Sequence, residues 1–157
     1  MVKKRKTNDE VPVRIKIQLP KGEPLFQSNY TIGIQELNYG NHLGNDKVLS
    51  LAHETRVRFL HSLDQGELNF FGTGLIMGGA KVQYLGQGFF ADQLKLNLWV
   101  DEASDYGFKV FTQIEKETSE IARVEVDMVF FDYEKQSVNK SAGVKEKLES
   151  LLSEKMK

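Results

Sequence analysis

The sequence predicts an α+β fold in which one curved antiparallel sheet wraps around a single central helix, with a second helix at the carboxyl end. Four consecutive segments in the second half of the chain alternate apolar and polar residues, as strands with one buried face do. A helical segment before them is apolar over a wide arc, so it must be largely enclosed. One enclosed helix packed on one sheet covers all of these faces.

The composition suits one modest domain. The chain has 157 residues, of which 40% are apolar. We predict a single domain over residues 11–157 and a disordered basic tail over residues 1–10, where the run Lys3 to Lys6 stands beside Asn8 and Asp9. With 21 basic and 22 acidic side chains, no overall charge draws the protein to nucleic acid or to an anionic membrane, so we expect neither as a partner.

The cysteine count of zero excludes disulfides, thiolate metal sites and a cysteine nucleophile. No apolar run approaches the roughly 18 residues of a membrane-spanning helix. The first ten residues lack the apolar core of a signal peptide. These observations predict a cytoplasmic protein.

Two extended segments come first. Residues 11–19 alternate with Val13, Ile15, Ile17 and Leu19 on one face, which predicts a half-buried strand that ends at Pro20. Residues 25–35 continue as extended structure, in which one face carries three apolar side chains: Tyr30, Ile32 and Ile34.

The central helix is predicted over residues 46–63. Its apolar side chains recur at spacings of three and four, and Asn45 is a good N-cap with Asp46 in the first turn. The apolar positions are Val48, Leu51, Ala52, Thr55 and Phe59.

Four strands joined by short turns follow and predict an antiparallel meander. A pair of glycines on the first of these strands, Gly78 and Gly79, suits either a bulge or the close approach of a ligand to the backbone. The strands are predicted over residues 75–85, 93–100, 108–116 and 121–132. Beyond them an apolar stripe predicts a helix docked on the outside of the domain or on a partner, and it consists of Val144, Leu148, Leu151 and Leu152.

The loop before the central helix, residues 36–44, concentrates polar side chains at a helix start, and we call it the pre-helix loop. Backbone N–H groups in the first turn of a helix have no partner within the helix and carry partial positive charge. Such a junction can hold a carbonyl oxygen as it becomes an oxyanion. The polar side chains here are Asn38, Asn41, His42 and, at the start of the helix, Asn45.

This segment resembles the signature of 4-hydroxybenzoyl-CoA thioesterase-like proteins of the hotdog superfamily, D-x-D-x-x-G-H-x-N-N-x-x-Y-L followed by E-A-R on the helix. The residues in register with that signature are His42, Asn45, Leu49, Glu54 and Arg56. The chain departs from it at Glu36 and Asn38, where the family carries aspartates, and at Asn41, where it carries glycine. The resemblance implies a hotdog fold and an acyl-CoA thioesterase.

The resemblance also implies catalytic roles for individual residues. The oxyanion donor would be a backbone N–H at the helix start, where the aligned residue is Asn45. Asn38 stands where one subgroup carries its catalytic aspartate, and an amide cannot act as that base. Glu54 on the helix could supply the carboxylate opposite Asn38, or it could form an ion pair with Arg58 or Arg56.

Glu36 is the other carboxylate in reach of the pre-helix loop. His42 could polarise the thioester carbonyl, orient a water molecule or fix the turn of the loop. The remaining histidines, His53 and His61, have no partners at metal-ligand spacing, so we predict no metal site. The glycines between residues 69 and 79 match neither dinucleotide-binding nor phosphate-binding motifs.

We therefore predict a hydrolase acting on acyl-CoA or acyl-carrier thioesters. It would need no cofactor, since CoA enters as part of the substrate. The alternatives are a hotdog dehydratase or hydratase, and a non-catalytic acyl-thioester-binding protein. Because a lone hotdog sheet has an exposed edge, we expect a homodimer or a homotetramer.

Overall fold

A six-stranded antiparallel sheet curves around helix α1 in the computed structural model, which describes residues 14–155. The predicted fold class is confirmed. The predicted tail over residues 1–10 lies outside the described residues, and the domain limit at residue 11 stays a prediction. In chain order the elements are β1 (Phe26–Thr31), α1 (Asn45–Ser62), β2 (Gly74–Tyr84), β3 (Gln93–Ser104), β4 (Gly107–Lys116), β5 (Ser119–Asp132), β6 (Ser137–Val138) and α2 (Ala142–Lys155).

The strands lie in the order β1-β3-β4-β5-β2, and β6 pairs with β5. Strands β3 to β5 form the predicted meander, but the prediction is wrong for β2, which pairs with β5 instead of β3. The connection after β2, residues 85–92, is longer than a tight turn. It passes the pre-helix loop, where the Leu43 N–H donates to the Gly88 carbonyl at 2.8 Å. This path carries the chain to the far side of the sheet, so that β3 lies between β1 and β4.

The main core lies between the sheet and one face of α1. The helix buries seven residues: Val48, Leu51, Ala52, Thr55, Arg56, Phe59 and Leu60. The opposite face of α1 is exposed at His53, Glu54 and Val57. The expectation of a largely enclosed helix is therefore wrong for the single chain, because the sheet covers only one side of α1.

The segment before β1 lies on the outer face of the sheet. Residues 14–19 form no strand, so the prediction of a strand over residues 11–19 is wrong there, and residues 11–13 lie outside the described part. Ile17 is buried in a small cluster with Trp99 and Phe111. Its backbone bonds to side chains instead of a neighbouring strand: its N–H donates to Gln83 Oε1 and its carbonyl accepts from Arg123 Nη1, both at 2.9 Å.

Strand β1 is shorter than predicted. The chain leaves the sheet after Thr31 and forms a 3₁₀ turn at Ile34–Glu36, because the Glu36 carboxylate accepts the Gly33 N–H at 2.7 Å. Ile32 is buried as expected, whereas Ile34 is 77% exposed, so its predicted place on the buried face is wrong.

Two helix predictions need correction. The N-cap of α1 is Gly44 with extended backbone angles, and Asn45 is the first helical residue. A side chain at Gly44 would lie 2.6 Å from Asp46 Oδ1, so the exposed Asp46 side chain would have to move to admit one. On α2, Val144 and Leu148 are buried in the main core, which places this helix against β3 and inside the packing of the domain. Gly78 forms the predicted bulge, since the register of β2 shifts between Met77 and Gly79.

Candidate active site

The pre-helix loop is closed by its own hydrogen bonds. The Asn38 N–H donates to the His42 carbonyl at 2.9 Å, and Asn38 Oδ1 accepts the Gly40 N–H at 2.9 Å. The Asn38 amide nitrogen lies 3.3 Å from His42 Nδ1. Asn41, between them, has a φ of 63°, a left-handed conformation that glycine and asparagine adopt most readily. Asparagine therefore suits this position, where the signature that the loop resembles has glycine.

A second loop holds the first in place. Besides the bond between Leu43 and Gly88, a short bridge pairs His42 with Phe89. Asp92 fixes this second loop, because its Oδ2 accepts the Phe89 N–H at 2.8 Å and contacts Lys116 Nζ at 3.2 Å. These two contacts, the backbone one first, hold the pKa of Asp92 below its ordinary value. The pre-helix loop is thus fixed on both sides before α1 begins.

At the start of α1, the described residues leave the backbone N–H of Asn45 without an acceptor. The Gly44 N–H donates to the Glu36 carbonyl at 2.9 Å, and the Asp46 N–H donates to the side chain of Asn45 at 2.9 Å. Among residues 14–155, the backbone N–H of Asn45 has no protein acceptor. This donor lies at the positive end of the α1 dipole, where a developing oxyanion is stabilised most.

Both carboxylate oxygens of Glu36 accept hydrogen bonds. Its Oε1 accepts the Tyr30 hydroxyl at 2.6 Å and its Oε2 accepts the Gly33 N–H. The bond from Tyr30 is the largest of the causes that keep the pKa of Glu36 below its ordinary value, and the same bond raises the pKa of Tyr30. A carboxylate with both oxygens occupied stays ionised and is a weak proton acceptor.

Glu54 lies on the exposed side of α1. Its Oε1 accepts Arg58 Nε at 2.9 Å, which is the ion pair expected as the alternative to a catalytic role. Arg58 is anchored in turn to β1 through Ser28 Oγ and the Asn29 carbonyl. Glu36 and Glu54 line one small cleft of about 170 Å³, to which Asn38 does not contribute. The catalytic role of Glu54 stays a prediction.

Sequence reasoning missed a cluster on the other flank of α1. Glu67 Oε1 accepts Arg56 Nε at 2.9 Å, and His53 Nε2 lies 3.1 Å from the same oxygen. The spacing of His53 and Arg56 places both on one helix face. Glu67 comes from the connection after the helix, and no pattern in the sequence signals that it returns to this face.

The cluster lines a groove of about 350 Å³, which we call the α1 groove. Its apolar wall is formed by Leu49, Met77 and Met128, from the helix and from strands β2 and β5. The other lining residues are Asp46, Ser50, His53, Arg56 and Glu67. The groove runs along the helix from its first turn to its third and combines an apolar wall with acid–base groups.

In residues 14–155 no three histidine, cysteine, aspartate or glutamate side chains come together in a way that could hold a metal ion. No helix in the same part of the chain is both long and apolar enough to cross a membrane.

Solved structures share the fold. A 1,4-dihydroxy-2-naphthoyl-CoA thioesterase from Synechocystis superposes with a TM-score of 0.70 at 16% identity, covering 82% of this chain and 95% of its own. The DHNA-CoA thioesterase from Staphylococcus aureus gives 0.70 at 12% identity, with coverages of 82% and 93%. A gentisyl-coenzyme A thioesterase gives 0.67 at 17% identity, with coverages of 76% and 98%. At these identities the likeness shows the hotdog fold.

No curated protein sequence is significantly similar to this chain. A family model does match, over residues 32–152, and its description is the thioesterase-like superfamily. The match spans the pre-helix loop, α1 and the whole of the sheet after β1. It confirms both the predicted family and the predicted class of enzyme, a thioester hydrolase. The chain belongs to the thioesterase-like superfamily.

Proposed function

We propose that this protein hydrolyses acyl-CoA or acyl-carrier thioesters at the start of α1. The observation that carries the proposal is the backbone N–H of Asn45, which has no acceptor among residues 14–155 and follows a hydrogen-bonded loop at the positive end of a helix. Thioester hydrolysis passes through a tetrahedral oxyanion, and a fixed backbone donor is the group that stabilises it.

In the proposed reaction the thioester carbonyl oxygen accepts the Asn45 N–H, and His42 and Asn38 keep the loop in place. The oxygen of a water molecule attacks the carbonyl carbon while a base takes one of its protons. The carbon–sulfur bond then breaks, the thiolate takes up a proton, and the products are a carboxylic acid and free CoA thiol. Glu54 and Glu36 are the carboxylates that the sequence nominates for the base.

The proposal includes assembly into a homodimer or homotetramer. Strand β2 is an edge of the sheet and exposes Met77 and Tyr84. An unpaired edge beside an exposed helix face is a surface that a second copy can cover. Sedimentation at micromolar concentration checks this, and a monomer there would count against it.

The activity is tested by incubating the pure protein with a panel of aliphatic and aromatic acyl-CoAs and measuring free thiol. Release of thiol supports the thioesterase. Hydration of an enoyl-CoA without thiol release would favour a hydratase instead, and binding without turnover would favour an acyl-thioester-binding protein.

The oxyanion role is tested with Asn45→Pro. Proline lacks the N–H, is well accepted as the first residue of a helix, and suits the extended angles of Gly44 before it (φ −66°, ψ 145°). The variant should fold and lose about 10²-fold or more in kcat. Asn45→Ala is the matched control, since it removes the same side chain and keeps the N–H. Equal activity in the two variants would remove the Asn45 N–H from the mechanism.

A further inference from the structure

Arg56 and Glu67 form an ion pair in the α1 groove, which we call the groove pair, and it keeps unused hydrogen-bonding groups. Arg56 donates Nε to Glu67 Oε1 at 2.9 Å, and its side chain is only 6% exposed. Among residues 14–155, the two Nη groups of Arg56 and Oε2 of Glu67 make no hydrogen bond. No buried side-chain nitrogen or oxygen in this part of the chain lacks such a partner. These groups therefore reach solvent-accessible space, and both residues line the α1 groove.

The apolar wall of the groove connects the groove pair to the proposed oxyanion site. The groove begins at Asp46, the residue after Asn45, and its wall consists of Leu49, Met77 and Met128. Methionine side chains are flexible and adapt to apolar groups of different shape. An acyl chain whose carbonyl oxygen accepts the Asn45 N–H can therefore lie along this wall, with its far end at the groove pair.

The chemistry of the groove pair suits a hydroxyl group. A hydroxyl can donate to Glu67 Oε2 and accept from an Arg56 Nη group at the same time. A plain alkyl end would cover both polar groups and leave them without partners, which is unfavourable. Two acidic side chains and one arginine line the groove, so an acyl group that ends in a carboxylate would meet net negative charge.

The position of the groove pair sets the length of the acyl group. His53 and Arg56, which both lie beside Glu67 Oε1, follow Asn45 by eight and eleven residues. At 1.5 Å per residue these positions are about 12 to 16 Å along the helix axis. Helical side chains lean toward the helix start, which brings the groove pair to about 10 Å from Asn45. A hydroxyl on a benzoyl ring lies much closer to its carbonyl, whereas the end of a medium-length alkyl chain reaches this far.

We propose that the α1 groove holds the acyl chain of the substrate and that the groove pair selects a medium-chain acyl thioester with a hydroxyl at its far end. The hydroxyl donates to Glu67 Oε2 and accepts from Arg56, while the methylene chain covers Leu49 and Met77. This inference rests on the proposed thioesterase function and names its substrate class.

The first test compares three acyl-CoAs of equal chain length with the wild-type protein: ω-hydroxydecanoyl-CoA, decanoyl-CoA and decanedioyl-CoA. From thiol release, kcat/KM should be about 10²-fold higher for the hydroxyacyl substrate than for decanoyl-CoA, because a site that hydrogen-bonds a hydroxyl discriminates against an analogue without one. Decanedioyl-CoA should be the poorest of the three. Equal values for the first two, or a preference for decanedioyl-CoA, overturn the inference while the thioesterase function stands. If no acyl-CoA releases thiol, the proposed function fails and this inference fails with it.

The second test removes the groove pair. Arg56→Met combined with Glu67→Leu puts apolar side chains of similar size in its place, a change that buried ion pairs often tolerate. The preference for the hydroxyacyl substrate over decanoyl-CoA should disappear. The matched control is Arg123→Met with Glu120→Leu, the same change in an ion pair on the outer face of the sheet, where Arg123 bonds to the Ile17 carbonyl. This control should keep the wild-type preference.

A milder variant accompanies the double one. Glu67→Gln keeps an acceptor for Arg56 and replaces the free oxygen with an amide that only donates, so the preference for the hydroxyl should fall by about 10-fold. The ratio of the two kcat/KM values does not depend on the fraction of active protein, and circular dichroism shows whether each variant folds. A wild-type preference that persists in the folded variants overturns the inference, because another part of the protein then recognises the hydroxyl.

Discussion

Asn38 and His42 are joined three times within five residues: the backbone N–H of Asn38 donates to the His42 carbonyl, Asn38 Oδ1 accepts the His42 N–H at 3.4 Å, and the two side chains meet at 3.3 Å. The contacts turn the chain so that Gly44 can cap α1, and among residues 14–155 the Asn45 N–H has no acceptor. Asn38, which by resemblance stands where one subgroup carries its catalytic aspartate, thus holds the loop together.

Asn38 can be tested with two substitutions. Asn38→Ala removes the acceptor for the Gly40 and His42 N–H groups and should lower the free energy of unfolding by about 1 to 2 kcal/mol. Asn38→Asp keeps an acceptor of the same shape and should keep most of that stability. Chemical denaturation measures both. A loss in the aspartate variant as large as in the alanine variant would mean that the contact to His42 Nδ1 carries the stability instead.

Asn41 adopts a left-handed conformation that most side chains resist. Asn41→Gly should therefore fold with unchanged or slightly raised stability, whereas Asn41→Val should lose about 1 kcal/mol or more. Thermal unfolding of the two variants beside the wild type provides the measurement. A less stable glycine variant would show that the side chain of Asn41 contributes contacts of its own.

Because of the Tyr30–Glu36 bond, the free energy of unfolding should fall in acid and should also fall in strong base. The pKa of Glu36 is lowered on folding, so its contribution is complete above the ordinary value of 4.5 and is lost as the pH falls through the folded value. The pKa of Tyr30 is raised, so its contribution is complete below the ordinary value of 10.0 and is lost as the pH rises through the folded value.

Tyr30→Phe removes this bond and keeps the ring. At neutral pH the variant should be less stable by about 1 kcal/mol, and the difference from the wild type should shrink in acid and in strong base. Urea denaturation across the pH range measures it. A difference that stays constant into acid would mean that the Glu36 carboxylate does not depend on Tyr30.

Glu54→Gln tests whether Glu54 is the base. If Glu54 serves only as the ion-pair partner of Arg58, this variant should keep kcat within a few-fold of the wild type and lose at most about 0.5 kcal/mol of stability, the usual value for an exposed pair. Thiol release and Tm of the purified variant measure both quantities. A fall in kcat of about 10²-fold with an unchanged Tm would assign the role of base to Glu54.

The strands and the central helix could be read from the sequence because each pattern is local. Alternation at Leu94, Leu96 and Leu98 marks a strand with one buried face wherever that strand lies in the sheet. Local patterns do not fix which strands are neighbours. The pairing of β2 with β5 depends on the route of residues 85–92 past the pre-helix loop, and the bond from Leu43 to Gly88 that sets this route joins distant segments.

The same distinction applies to the site. The sequence by itself determined a polar loop before an amphipathic helix, and with it the family, because motif spacing and helix termini are properties of neighbouring residues. Only the tertiary structure decided that Glu36 is bound by Tyr30, that Glu54 is bound by Arg58, and that Glu67 returns to meet His53 and Arg56. The basicity and the orientation of a charged side chain depend on its neighbours in space. Folding brings these neighbours together from segments that are far apart in the sequence.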